Sequence, residues 1–132
     1  PARQPRILLV DDDPSVRDVV ESMLRALDYE VHSVDGGQAA IDAFAAEPEA
    51  YDLVILDLLM PGMDGSETFR QLTRLDPGVA VLICSGFPRD LTNGDLRDRA
   101  RGMLGKPFTQ NGLAEAVTAA LQVDPACLEP QL

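Results

Sequence analysis

The chain has 132 residues, 45% of them apolar, which fits one folded domain with one core and excludes a disordered chain. Its 22 acids against 11 Lys+Arg leave a formal charge of -11. That balance argues against nucleic-acid contact and against docking on anionic lipid, since both need a basic face, while it suits a divalent cation or a basic partner.

The first element is RILLV (6–10), an apolar run of strand length. It starts too soon to leave room for a signal peptide, and no apolar stretch is long enough to span a membrane, so the expected location is cytoplasmic. The run ends in Asp11, Asp12, Asp13 and Pro14. Val16, Val19, Val20, Met23, Leu24 and Leu27 then recur at three- and four-residue spacing, one face of a helix. Asp13 is read as the N-cap of that helix and Pro14 as part of its first turn.

YEVHSV (29–34) is a second strand and residues 37–46 a second helix, with Ala40, Ile41 and Phe44 on one face and Pro48 as its stop. DLVILDL (52–58) is a third strand, rich enough in Val, Ile and Leu to be buried on both faces. Turn chemistry follows in MPGMDG (60–65), then a helical stripe of Phe69, Leu72 and Leu75 stopped by Asp76-Pro77-Gly78. VAVLIC (79–84) is a fourth strand. Residues 88–101 take the place of a helix but carry few apolar positions and are interrupted by Asn93-Gly94. GMLG (102–105) is a short fifth strand, and Thr109 caps a last helix with Leu113, Val117 and Leu121 facing in. Five alternations of strand and helix with short connections mean a parallel sheet covered on both faces.

In such a sheet the carboxyl ends of the strands lie along one edge, where ligands bind. Asp11 and Asp12 end the first strand, Asp57 stands near the end of the third, Ser85 ends the fourth and Lys106 follows the fifth. Crowded carboxylates repel one another, and a divalent cation removes the conflict. Mg²⁺ prefers oxygen ligands and keeps waters that a phosphate can replace. Asp57 is then placed to act as a nucleophile toward a phosphoryl group, whose charged oxygens the metal, the Lys106 ammonium and the Ser85 hydroxyl would share.

VDDDP at the first strand, LDLLMPGMDG at the third, SG at the fourth and KPF at the fifth resemble, in order and separation, the receiver domain of two-component response regulators. The resemblance covers about residues 6–122. It implies a single flavodoxin-like (βα)5 domain with a five-stranded parallel sheet of order 2-1-3-4-5, and flexible termini or linker stubs at 1–5 and 123–132. It further implies that Asp57 receives a phosphoryl group from the phosphohistidine of a histidine kinase or a histidine phosphotransfer domain, with Mg²⁺ (or Mn²⁺) as cofactor. Asp12 would ligate the metal directly, Asp11 largely through water, and Asp57 and the Leu59 backbone carbonyl would complete the protein ligands. Ser85 and Lys106 match the hydroxyl and lysine positions. Such a domain promotes its own phosphorylation and slow dephosphorylation and signals by a change of surface, rather than turning over as a conventional enzyme. SGF followed by a weak helix resembles receivers attached to the C-terminus of hybrid sensor kinases more than those on DNA-binding regulators.

Some positions depart from the pattern. Met103 stands where the family often carries Tyr or Phe, and lacks a ring to reorient. Leu59 and Phe87, two residues after Asp57 and Ser85, are apolar where the attacking water would pass, so slow self-dephosphorylation is expected. His32, in a strand, is read as a structural or edge residue, Cys84 as a small core residue, and Cys84 and Cys127 as free thiols. Other classes fit poorly. A serine-elbow hydrolase would need Gly where Ile83 sits, an aspartyl phosphatase would need an acid at Leu59, and a dinucleotide fold would need a Gly-rich first turn. The remaining alternative is a receiver-like docking module that is not phosphorylated.

Overall fold

A computed structural model describes residues 5–47, 50–57, 65–85, 102–105 and 109–122 of the chain. Its elements in order are β1 (Arg6–Val10), α1 (Pro14–Ala26), β2 (Glu30–Val34), α2 (Gly37–Ala46), β3 (Leu53–Asp57), α3 (Gly65–Leu75), β4 (Val81–Ser85), β5 (Gly102–Gly105) and α4 (Gln110–Gln122). All strand pairs are parallel, and the sheet runs β2-β1-β3-β4-β5. The helix expected over 88–101 lies outside the described residues.

Apolar residues at successive strand positions make this a sheet buried on both faces. Along β1, Ile7 and Leu9 point to one face and Leu8 and Val10 to the other; Leu53 and Ile55 against Val54 and Leu56 repeat the division in β3. One face packs on Val20 and Leu24 of α1 and on Leu113, Val117 and Ala120 of α4. The opposite face packs on Ala40 and Phe44 of α2 and on Phe69 and Leu72 of α3. Each such Leu, Ile or Phe contributes about 1.5–3 kcal/mol by leaving water.

The helix ends follow local chemistry. The Asp13 carboxylate accepts from the backbone N–H groups of Ser15 (2.9 Å) and Val16 (3.4 Å), so Asp13 is the N-cap of α1. α1 closes at Asp28, which takes a left-handed φ of 69°, while the Tyr29 N–H turns back to the Leu24 carbonyl. Thr109 caps α4 through its hydroxyl, which accepts from the Gly112 N–H at 3.0 Å. In the turn after α3, Asp76 accepts from the Gly78 N–H at 2.9 Å.

Two stripes are narrower than the spacing predicts. Val19 is 54% exposed and Leu75 45% exposed. The buried line of α1 runs through Val20 and Leu24, and Val19, one residue earlier, sits about 100° around the helix from it. Leu75 is the last residue of α3, at the exposed end of that helix. The third strand begins at Leu53 rather than Asp52, and the fourth at Val81, extending to Ser85.

Chain direction across the sheet reverses at β1, whose neighbours are β2 on one side and β3 on the other. Beyond the carboxyl ends of β1 and β3, helices depart to opposite faces and leave a crevice. At the other end of the sheet a separate cluster forms. There the Arg6 guanidinium lies 5.4 Å from the Tyr51 ring centroid and 3.9 Å from both Glu30 and Glu47.

Candidate functional site

Side-chain alternation decides what enters the crevice. Asp11 continues the Ile7–Leu9 series and Asp57 the Leu53–Ile55 series, so both carboxylates emerge on the face covered by α1 and α4. The β1–β3 register pairs Val10 with Leu56, which sets Asp11 level with Asp57 on the neighbouring strand. The Asp11 N–H donates to the Val34 carbonyl (3.2 Å), carrying the β1–β2 ladder one residue past the strand. Asp11 and Asp57 are 3% and 6% exposed, whereas Asp12 is exposed.

Carboxylate oxygens from Asp11, Asp12 and Asp57 all lie within 4.8 Å of one another. Asp11 and Asp57 line a small pocket of about 10 Å³ together with Val16, Val20, Ile55 and Cys84. The two buried acids therefore border apolar side chains, while Asp12 is exposed. Such a setting strengthens like-charge repulsion relative to open water.

The donor set fits a hard divalent ion. It offers oxygen atoms alone, which suits Mg²⁺, Mn²⁺ or Ca²⁺ and disfavours soft metals. The three carboxylates would hold such an ion together, with water completing its shell.

The loop between β1 and α1 is tied in three places. The Asp13 N–H donates to Asp11 Oδ1 at 3.0 Å, and the Arg17 N–H donates to the Asp13 carbonyl at 2.9 Å. Arg17 Nη1 also donates to the Asp11 carbonyl at 2.8 Å. Asp13 thus spends its carboxylate on the helix end and lies outside the three-acid cluster, as its capping role predicts.

Of the residues singled out in the sequence, Asp11, Asp12 and Asp57 converge. Ser85 closes β4 with its backbone paired to Gly105, and Met103 pairs with Ile83 in β5; only the backbones of Ser85 and Met103 are described. Leu59, Phe87 and Lys106 lie outside the described residues. His32 is exposed on β2, its ring centroid 6.3 Å from that of Tyr51. Cys84 is a buried cysteine. It also stands opposite Asp57 in the register, a neighbour of the site as well as of the core.

Arg17 is the site neighbour that sequence reasoning missed. A signal existed: helical side chains lean toward the N-terminus, so an Arg one turn into α1 reaches back over the acid loop.

The model of the response regulator receiver domain family matches residues 7–118. The receiver protein CpdR of Brucella abortus is 32% identical over 117 residues, covering 88% of this chain and 96% of that protein. Sensor histidine kinase GacS of Pseudomonas protegens is 34% identical over 122 residues, 88% of this chain but 13% of that kinase. Among solved structures, TrrA of Thermotoga maritima, in complex with Mg²⁺ and BeF, superposes with a TM-score of 0.81 at 27% identity, covering 89% of this chain and 99% of that one. No described helix is long and apolar enough to cross a membrane.

Proposed function

This chain belongs to the response regulator receiver domains of two-component systems, and on that premise we propose that Asp57 is the acceptor of a phosphoryl group delivered by a phosphohistidine. The observation that carries the assignment is the three-acid cluster, in which Asp57 ends the central strand β3 beside Asp11 and Asp12. The donor would be a histidine kinase or a histidine phosphotransfer domain, and the likeness to GacS, a sensor histidine kinase, supports that partner class.

A divalent cation, Mg²⁺ in the first instance, would be held by Asp11, Asp12, Asp57 and the Leu59 carbonyl. When bound it supplies positive charge to the phosphoryl oxygens and relieves repulsion among the acids. The likeness to TrrA, solved with Mg²⁺ and BeF, supports this choice of metal.

The protein's own part is positioning and charge. A carboxylate oxygen of Asp57 attacks phosphorus in line with the leaving imidazole. The P–N bond breaks, the P–O bond forms, and the bond pair leaves with the imidazole nitrogen. Lys106 would pair with one phosphoryl oxygen and the Ser85 hydroxyl would donate to another. A further helix over 88–101, completing a (βα)5 unit across residues 6–122, belongs to the same reading, as does output through a changed surface.

The test is incubation with acetyl phosphate, with and without Mg²⁺, followed by intact-mass measurement. Gain of one phosphoryl group that needs Mg²⁺ and is lost in Asp57→Asn is the expected result. No gain, together with no beryllofluoride binding, would identify instead a docking module built on the receiver fold.

A further inference from the structure

We propose that Arg17 is a positioning residue for the acid pocket, its guanidinium fixing the β1–α1 loop so that Asp11 and Asp12 present their carboxylates to a divalent cation. The inference rests on the proposed metal-assisted receiver function.

Arg17 stands one turn into α1, near the positive end of the helix dipole, where a cation is locally disfavoured. Its guanidinium nevertheless extends back over the loop and donates to the Asp11 carbonyl at 2.8 Å, in a partly buried setting. That carbonyl belongs to the peptide plane joining Asp11 to Asp12. Its direction sets where the Asp12 Cα, and hence the Asp12 carboxylate, can go. The Arg17 N–H meanwhile holds the Asp13 carbonyl at 2.9 Å. That backbone bond belongs to the first turn of α1 and any residue at 17 would make it, so what Arg17 adds is the side-chain hold on Asp11. A planar guanidinium suits this task better than a flexible ammonium, because its donors come in a fixed fork.

Positioning and charge make opposite forecasts. A guanidinium beside the pocket repels an incoming cation, so if its charge were all that mattered, removing it would tighten metal binding. If it holds the loop, removing it loosens the ligands and weakens binding. Partners that orient metal ligands typically matter by about 10–100-fold in affinity, and a backbone contact one residue from a ligand belongs at the lower end.

The experiment is calorimetric titration of Mg²⁺ into the whole chain and into Arg17→Met, with Arg25→Met as an exposed control on the same helix. Amide hydrogen exchange at Asp12 and Asp13 is read in parallel, without metal. The expected result is about 10-fold weaker Mg²⁺ binding in Arg17→Met, faster exchange at Asp13, and an unchanged Arg25→Met. Equal or tighter binding in Arg17→Met, or unaltered exchange at Asp13, overturns the inference. Should Arg17→Met fail to fold, Arg17→Lys keeps the charge and loses the fork, and carries the same expectation. Wild-type protein that binds no Mg²⁺ overturns the metal reading itself and this inference with it, whereas binding lost in Asp12→Asn but unaffected at Arg17 overturns the inference alone.

Discussion

Replacing Asp57 by Asn should make the metal-free protein more stable. At the 4.8 Å limit of the cluster, two unit charges repel by about 0.9 kcal/mol in water and about 3.5 kcal/mol at an effective dielectric of ~20. The site lies between these limits, since Asp12 is exposed while Asp11 and Asp57 border apolar side chains. Asn keeps the shape and removes the charge, so we expect a gain of about 1–3 kcal/mol. For 132 residues, each kcal/mol raises Tm by roughly 3–4 °C. Magnesium should reverse the ranking. At a thousand times its Kd it adds about 4.1 kcal/mol to a protein that binds it only when folded, and nothing to a variant that does not bind. Thermal unfolding of both proteins in EDTA and across a Mg²⁺ series measures every quantity needed. A metal-free Asp57→Asn that melts below wild type, or one that gains as much from Mg²⁺ as wild type does, would refute the reasoning.

Asp13→Ala removes the two cap bonds of α1 and should cost about 1–2 kcal/mol in urea unfolding, with an unchanged m-value. Burial raises the pKa of Tyr51 above its ordinary 10.0, assisted by Glu47 and opposed by Arg6. The stability held by the neutral phenol is thus fully present below about pH 10 and is lost as pH climbs through the raised folded value. Tm measured from pH 9 to 11 should fall more steeply in wild type than in Tyr51→Phe. Phosphorylated protein should lose its phosphoryl group slowly, and Leu59→Asn should shorten the half-life by giving water a polar group to bind; a wild-type half-life of seconds, followed by quench and intact mass, contradicts this.

Strand and helix placement was legible because each element carries a period that its burial enforces: continuous apolar runs for β1, β3 and β4, and three- and four-residue spacing for α1 and α4. Turn and cap residues marked the ends, as Asp13, Thr109 and Asp76 show. The acids were legible because strand ends in a parallel sheet share one edge. Less visible was anything that depends on side-chain reach or on register. The bond from Arg17 to the Asp11 carbonyl spans six residues and a turn, and only the lean of helical side chains toward the N-terminus hints at it. Cys84 reads as core by its apolar neighbours, and only the pairing of β3 with β4 sets it opposite Asp57. Exposure of Val19 and Leu75 follows from where each helix meets the sheet, which periodicity leaves loose.

The division of labour along β1 and β3 has an evolutionary consequence. Apolar residues through Val10 and through Leu56 build the core, while the acids occupy the positions that follow, at or just past the strand ends. Chemistry and folding are therefore written in adjacent but separate letters. Loss of the exposed Asp12 leaves the core whole and relieves a repulsion, so stability alone would let that position drift toward a neutral residue. A lineage keeps Asp11, Asp12 and Asp57 together only while it uses them, and silent copies of this fold should be found lacking that acid before they lack a core.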